Sequence, residues 1–329
     1  MSDATLLNDG VHCHAQSHCA ACGTQGQVIH DQQRDRLFEA PGVWSIRQCT
    51  STACRLAWVD PMPEAGELGK FYTSYYTHGA GDAADEDSAT ASAGVASPGL
   101  ARSLLAAIIP GRRLQFLSGL MHLADMPPGR VLEVGCGSGH FLAQAAAAGW
   151  RALGIDFDEA AVAAARAIPG VDAQVMDMHD PALDGERFDA IALNNVIEHL
   201  PDPDRVFARC HELLAPGGRV VMVTPNIEAQ CHKAYGEMWR GLEVPRHIYI
   251  FSAKALRKFA ADAGFRKIQV FSPLNGQQVD FMANASVELA EKAGATPPQI
   301  DRRAIKLRST ANGLLGGTIA EWVVLAAER

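Results

Sequence analysis

The stretch VLEVGCGSGHFLAQAAAAG, residues 131–149, reads as a buried strand, a turn crowded with glycine and the start of an alanine-rich helix. Gly135, Gly137 and Gly139 stand at alternate positions, so the backbone can turn sharply and a ligand can approach atoms that side chains would cover. A dinucleotide fingerprint requires a glycine three residues after its second one, where helix and strand close around a pyrophosphate. His140 holds that place here, and the third glycine comes one residue early. What remains is E-x-G-x-G-x-G beginning at Glu133, followed by Asp156 at the end of the next apolar run, GIDFD. A carboxylate there can accept both hydroxyls of a ribose and needs no phosphate partner.

Outward from this turn, apolar runs and helical stretches alternate. VLEVGC, ALGIDF, AQVMDM, FDAIALNN, RVVMVTPN, KIQVFSP and WVVLAAER read as strands, several of them continuous apolar runs of the kind buried on both faces. FLAQAAAAG, EAAVAAARAI, DRVFARCHELLA and AKALRKFAADAG lie between them with helical spacing. The expectation is an α/β fold, a Rossmann-like doubly wound seven-stranded sheet with its ligand beyond the carboxyl ends of the strands. Each signal has a structural alternative: a glycine turn permits tight packing, Asp156 can cap the helix near Asp158, and Asp177 can simply end a strand. Their joint occurrence at the ends of three successive strands favours the ligand. Cys136 has no base nearby in sequence and reads as a small packing residue beside that site.

The 329 residues carry 48% hydrophobic and 20% charged residues, enough for a large core, and a formal net charge of −8 that offers no global attraction to nucleic acid or an anionic membrane. A small-molecule substrate is the expected partner. MSDATLLNDG has neither the basic nor the apolar region of an export signal, and no apolar run reaches the roughly 20 residues that span a bilayer, so the expected location is cytoplasmic. Five of the eight cysteines fall between Cys13 and Cys54, which in a reducing compartment points to metal. Cys19 and Cys22 form CAAC, and Cys49 and Cys54 form the looser CTSTAC, 26 residues further on. The four thiolates would suit structural zinc, with Cys13, His14 and His18 near enough in sequence to replace one of them. The division expected is a cysteine-rich, zinc-ribbon-like module over 1–62, an amphipathic segment and flexible linker over 63–104, and a catalytic domain over 105–329. Within the linker, residues 79–99 are almost wholly Gly, Ala, Ser and acids and read as a lid or a tether.

These residues resemble the class I S-adenosylmethionine-dependent methyltransferases. VLEVGCGSG is similar to their first motif, GIDFD to the second, VMDM to the third and FDAIALNNVIEHLPDP to the fourth, with LLAPGGRVVMVTPN as the following turn and strand. The resemblance implies S-adenosylmethionine as cofactor. It places Gly135, Gly137 and Gly139 around the methionine portion, with Glu133, Cys136 and Asn194 in the same loops, Asp156 on the ribose, Phe157 on an adenine face, and Asp177 and Met178 at the adenine edge. The acidic residues suit a sulfonium cation that carries no phosphate. CAACG, CTSTACRLAWVDPMP and ELGKFYTSYYTH resemble the front module of methyltransferases of glycan and secondary-metabolite pathways, including deoxysugar C-methyltransferases. That likeness implies methyl transfer to oxygen or carbon of a small molecule. The alternative is a cofactor-binding scaffold that recruits a partner through the zinc module.

Two histidines are candidates for the chemistry. In some quinone and RNA methyltransferases a segment related to Asn194–His199 holds a divalent ion with two glutamates and a histidine. Here Asn195 replaces the first glutamate beside Glu198 and His199, so no catalytic magnesium is expected, and His199 reads as a hydrogen-bonded residue beneath the cofactor. The run PRHIYIFS resembles a P-x-H-x-x-x-F-S element whose histidine removes the acceptor proton, which makes His247 the candidate base. Arg246 beside it would favour its neutral form. The related enzymes carry a tyrosine where this chain has Val244, leaving Tyr249 or Tyr235 for any shared role. His247 can otherwise simply cap the local turn.

Overall fold

The computed structural model describes residues 6–72, 119–273 and 277–329. The glycine- and alanine-rich linker, Tyr75 and most of the helical stretch after residue 100 lie outside the described residues. The front of the chain forms β1 (Leu6–Asn8), β2 (Val11–His14), β3 (Gly26–Gln33), β4 (Trp44–Cys49), β5 (Ala57–Asp60) and β6 (Met62–Pro63), then a 3-10 turn at Ala65–Phe71. The remainder forms β7 (Arg130–Val134), β8 (Arg151–Asp156), β9 (Asp172–Val175), β10 (Phe188–Asn194), β11 (Leu214–Pro225), β12 (Tyr249–Ile250), β13 (Arg266–Phe271) and β14 (Trp322–Glu328).

All seven apolar runs of the second half become strands of one sheet, in the order β13-β14-β11-β10-β7-β8-β9. The pairs among β8, β7, β10 and β11 and between β8 and β9 are parallel, whereas β14 runs antiparallel to both of its neighbours. Strand order reverses between β7 and β10, which opens a crevice at their carboxyl ends. The runs are continuous because both faces are covered: Val131, Leu132, Ile191, Leu193, Val220 and Met222 are all buried.

Helices α1 (His140–Ala147), α2 (Glu159–Arg166), α3 (Pro203–Leu213), α4 (Gln230–Tyr235), α5 (Ala253–Asp262), α6 (Gln277–Lys292) and α7 (Arg302–Leu314) complete the chain. Asp158 caps α2, accepting from the main chain of Ala160 and Ala161, so that task does not fall to Asp156. Ser252 caps α5 through Ala255 N. Phe207 of α3 stacks on Phe259 of α5 at 5.6 Å, and burying each ring contributes about 1.5–3 kcal/mol to holding these helices on the sheet. In LLAPGGRVVMVTPN, α3 passes directly into the 12-residue β11, with Gly217 at φ +77°.

The front of the chain is built into the part that carries the large sheet. β1, β2 and β6 form a small antiparallel sheet, and β3, β4 and β5 form a second one that β12 completes, Tyr249 opposite Trp58 and Ile250 opposite Ala57. The division by sequence at residues 62 and 104 thus falls across a sheet that both parts build. Among the described residues, no helix is long and apolar enough to cross a membrane.

Candidate active site and cysteine cluster

The glycine loop leaves β7 toward the crevice, and its three glycines do different work. A Cβ on Gly135 would meet Val196 at 2.4 Å and one on Gly139 would meet Ala165 at 2.8 Å, so these two permit close packing of loop and helix. A Cβ on Gly137, at φ +48°, would meet nothing within 4 Å, so the main chain there faces open space. Asp156 ends β8 beside it: Gly137 N donates to Oδ2 at 2.9 Å and Asp158 N to Oδ1 at 3.0 Å. Phe157 follows and is 68% exposed, an aromatic face kept out of the core. Glu133 is buried in β7 between Gly154 and Ala192 of the neighbouring strands. Open main chain, a carboxylate and an exposed ring at the ends of adjacent parallel strands suit a phosphate-free nucleoside.

The other expected positions divide. Asn194 ends β10 at the crevice, half-buried. Asp177 is exposed and accepts from His179 N at 2.7 Å, whereas the Met178 side chain lies in the hydrophobic core. Burial pushes the Cys136 thiol up to about 12, consistent with packing and not with nucleophilic work. Asn195, at φ 52°, accepts from the Trp322 indole at 2.8 Å. The residue in place of the glutamate therefore ties the loop to β14.

His199 and His247 come together, ring centroids 4.8 Å apart. His247 is buried, and its Nδ1 lies 2.9 Å from the Gly241 carbonyl. A carbonyl only accepts, so Nδ1 carries the hydrogen and Nε2 keeps its lone pair. That Nε2 is 3.6 Å from Glu243 Oε2. Burial lowers the pKa of His247 although Glu243 opposes it, and burial with His247 alongside takes His199 down to about 3. Arg246 is thus a minor cause of neutrality at His247. The Arg246 charge is directed at Asp35 and Glu243 instead.

Tyr72 was not legible as a site residue. Its hydroxyl lies 2.9 Å from His199 Nδ1 and its ring meets Phe157 edge-on at 5.7 Å, which joins the candidate cofactor surface to the histidine pair. Tyr249 pairs with Trp58 in the front sheet and Tyr235 is buried in α4, so neither replaces the tyrosine absent at Val244. Glu198 is buried under the same floor and accepts from the Thr224 hydroxyl at 3.0 Å.

Near the start of the chain but close to α5 in the fold, Cys19, Cys22, Cys49 and Cys54 bring their sulfurs within 4.8 Å of one another. Cys19 and Cys54 are 3.6 Å apart, and Cys22 and Cys49 are 3.4 Å apart. Zinc–sulfur bonds of about 2.3 Å in a tetrahedron separate sulfurs by roughly 3.8 Å, so the set suits one ion. The long CTSTAC spacing is absorbed by a turn in which the main chain of Cys54 and Arg55 donates to the Ser51 carbonyl. The hydrogen bond with Cys19 pulls Cys54 down to about 6 and drives Cys19 up. Cys13 is buried in a different core cluster, and neither it nor His14 nor His18 joins the four thiols.

The family model described as "Methyltransferase domain" matches residues 106–270. A ubiquinone biosynthesis O-methyltransferase of Aromatoleum aromaticum is 30% identical over 180 residues, 47% of this chain and 76% of that protein. One of the same description from Pseudomonas entomophila is 36% identical over 103 residues, 30% of this chain and 44% of that protein, so the chain spans less than half of this second relative. Among solved structures, an S-adenosylmethionine-dependent methyltransferase from Archaeoglobus fulgidus is 18% identical, with a TM-score of 0.44 over 69% of this chain and 94% of that one.

Proposed function

The chain belongs to the S-adenosylmethionine-dependent methyltransferases, and from that premise we propose that it methylates an oxygen or carbon atom of a small molecule, a saccharide or secondary metabolite, with His247 as the base. The observation that carries the reading is the pairing of His247 and His199 at the carboxyl ends of the sheet, linked through Tyr72 to Phe157. When bound, S-adenosylmethionine supplies an electrophilic methyl group on a sulfonium. Gly137, Asp156 and Phe157 would hold it, with Glu133, Gly135, Cys136, Gly139, Asn194, Asp177 and Met178 shaping the loops around it. The bare Nε2 of His247 takes the acceptor proton, and Glu243 stabilises the imidazolium so formed. Tyr72 and the Arg246 carbonyl hold His199 by Nδ1, and the two rings orient the acceptor. Positioning supplies most of the acceleration, and a base adds roughly 10²–10⁴-fold. The names of the quinone-pathway relatives favour oxygen as the atom methylated.

Structural zinc on Cys19, Cys22, Cys49 and Cys54 is part of the same proposal. Glu198, His199 and His247 also present ligating atoms within 4.8 Å of one another, but a single carboxylate suits magnesium poorly, and we assign this trio to proton transfer and positioning. The test is transfer of tritiated methyl from S-adenosylmethionine to catechols, quinols and nucleotide-linked sugars by wild type, His247→Ala and His247→Gln. A base predicts a loss of about 10²-fold or more in turnover with cofactor affinity nearly unchanged. Wild-type turnover in both variants would remove His247 from the mechanism, and activity lost to a chelator and restored by magnesium but not zinc would overturn the metal-free chemistry.

A further inference from the structure

Arg246 stands next to the base in sequence, yet its side chain leaves the crevice and is completely enclosed. Its Nη1 donates to Asp35 Oδ2 at 2.6 Å, its Nε to Glu243 Oε1 at 3.0 Å, and its guanidinium lies 4.6 Å from the Phe38 ring centre. Asp35 belongs to the front module, 211 residues away, in the loop that follows β3. It is held in place: Leu37 N and Phe38 N donate to Oδ1 at 3.0 and 3.1 Å, and Ala40 N to Oδ2 at 3.0 Å. The carboxylate is therefore an anchor that cannot follow the arginine.

Glu243 is in contact with three cationic or protonatable groups, and His199 acts on it from further off. Arg246 occupies Oε1, while Oε2 serves Arg240 and faces His247 Nε2 at 3.6 Å. A guanidinium fork prefers to close on both oxygens of one carboxylate. Arg246 meets only Oε1, because its Nη1 on the Asp35 carboxylate and, at 3.3 Å, on the Phe71 carbonyl fixes how the guanidinium lies. Without Asp35 the guanidinium is free to turn and close Nε and Nη2 on both oxygens of Glu243, which draws Oε2 from the histidine.

The geometry points to Asp35 as a positioning residue of the front module that, by holding Arg246, keeps the Glu243 carboxylate on His247. The inference rests on the reading of His247 as the base, and it deepens that reading: the module sets the basicity of a group it does not touch. His247 is faced by Glu243, Arg240 and Arg246 of its own segment and by Glu198 and His199 from the Ile197–His199 turn, with Tyr72 of the front segment on the far side of His199.

The experiment follows the His247 imidazole by nitrogen NMR in the full-length protein, labelled at histidine, saturated with S-adenosylhomocysteine and assigned through His247→Gln. Protonation is read between about pH 4.5 and about pH 8. Asp35→Asn should lower the midpoint of His247 by about one unit, and Asp35→Glu should restore it. The double variant Asp35→Asn/Arg246→Gln removes the buried charges together and so leaves no unpaired guanidinium, which keeps the test open should the single variant unfold. It frees Glu243 for the histidine and should raise the midpoint above wild type. Coinciding curves for wild type and Asp35→Asn, flat ones included, or a double variant at or below wild type, overturn the proposal. The readout does not involve turnover, so methyl transfer by His247→Gln would sink the base and leave the coupling to be judged on these curves.

Discussion

Asp156 accepts from Gly137 N and Asp158 N, which fixes the direction of its oxygens at the end of β8, and the proposed function places a ribose on them. Hydrogen bonds to a charged acceptor are worth about 1.5–3 kcal/mol each, and Asp156→Ala should weaken S-adenosylhomocysteine binding by about 10–100-fold in calorimetry. Unchanged affinity would remove Asp156 from the cofactor site. This residue was legible because its partners lie within 20 positions and the motif fixes their order. Tyr72 and Asp35 were not: they meet His199 and Arg246 across 127 and 211 residues, and no local pattern records a pairing of that length. Glu243 left only a trace, an acid three residues before Arg246 and four before His247 in GLEVPRH, spacing that also suits a solvated turn. The same neighbourhood misled in one respect, because adjacency suggested that Arg246 acts directly on His247, whereas burial is the larger cause.

The elements of the large sheet were legible because parallel strands buried on both faces must be apolar throughout. β12 was not: it is two residues long, and its partner β5 lies some 190 residues earlier. β3 was also obscure, since most of its eight residues are exposed or half-buried and carry no clean alternation. What fastens these pieces is the cysteine turn. The Ser252 hydroxyl donates to the Cys54 carbonyl and Lys254 Nζ to the Thr52 carbonyl at 2.6 Å, so the start of α5 rests on the proposed zinc loop. A small sheet with so little to bury depends on its ion. Removing zinc with a chelator should therefore lower the melting temperature by about 5–10 °C and speed amide exchange in Tyr249–Ile250 and the first turn of α5, next to His247. Exchange confined to the cysteine loops would show that the ion does not support the segment around His247.

At the scale of the whole molecule, Glu321 joins three parts of the fold. It stands just before β14 in a fully buried position, accepting from Cys231 N of α4 at 3.1 Å and from the Trp239 indole at 3.3 Å, while its carbonyl accepts from Asn226 N after β11 at 3.0 Å. No cation balances it in these contacts, and burial outweighs the donors, raising its pKa from 4.5 to about 7. The folded chain thus holds this proton more tightly than the unfolded chain does. The sign follows from linkage: its contribution is fully present below pH 4.5 and is lost as pH rises to about 7, up to roughly 3 kcal/mol in all. Glu243 works in the opposite sense, because Arg240, His247 and Arg246 overcome its burial and hold it below the usual carboxylate range, so its contribution is lost in acid. The two trends overlap in the wild-type curve, and a substitution separates them. Glu321→Gln keeps one accepting oxygen and cannot titrate. The difference in melting temperature between wild type and this variant should move against the wild type by several degrees between about pH 4.5 and about pH 7.5 and be flat above that. A difference that stays constant across the range would mean that Glu321 is ionised in the fold throughout, its charge carried by the Cys231 and Trp239 donors alone.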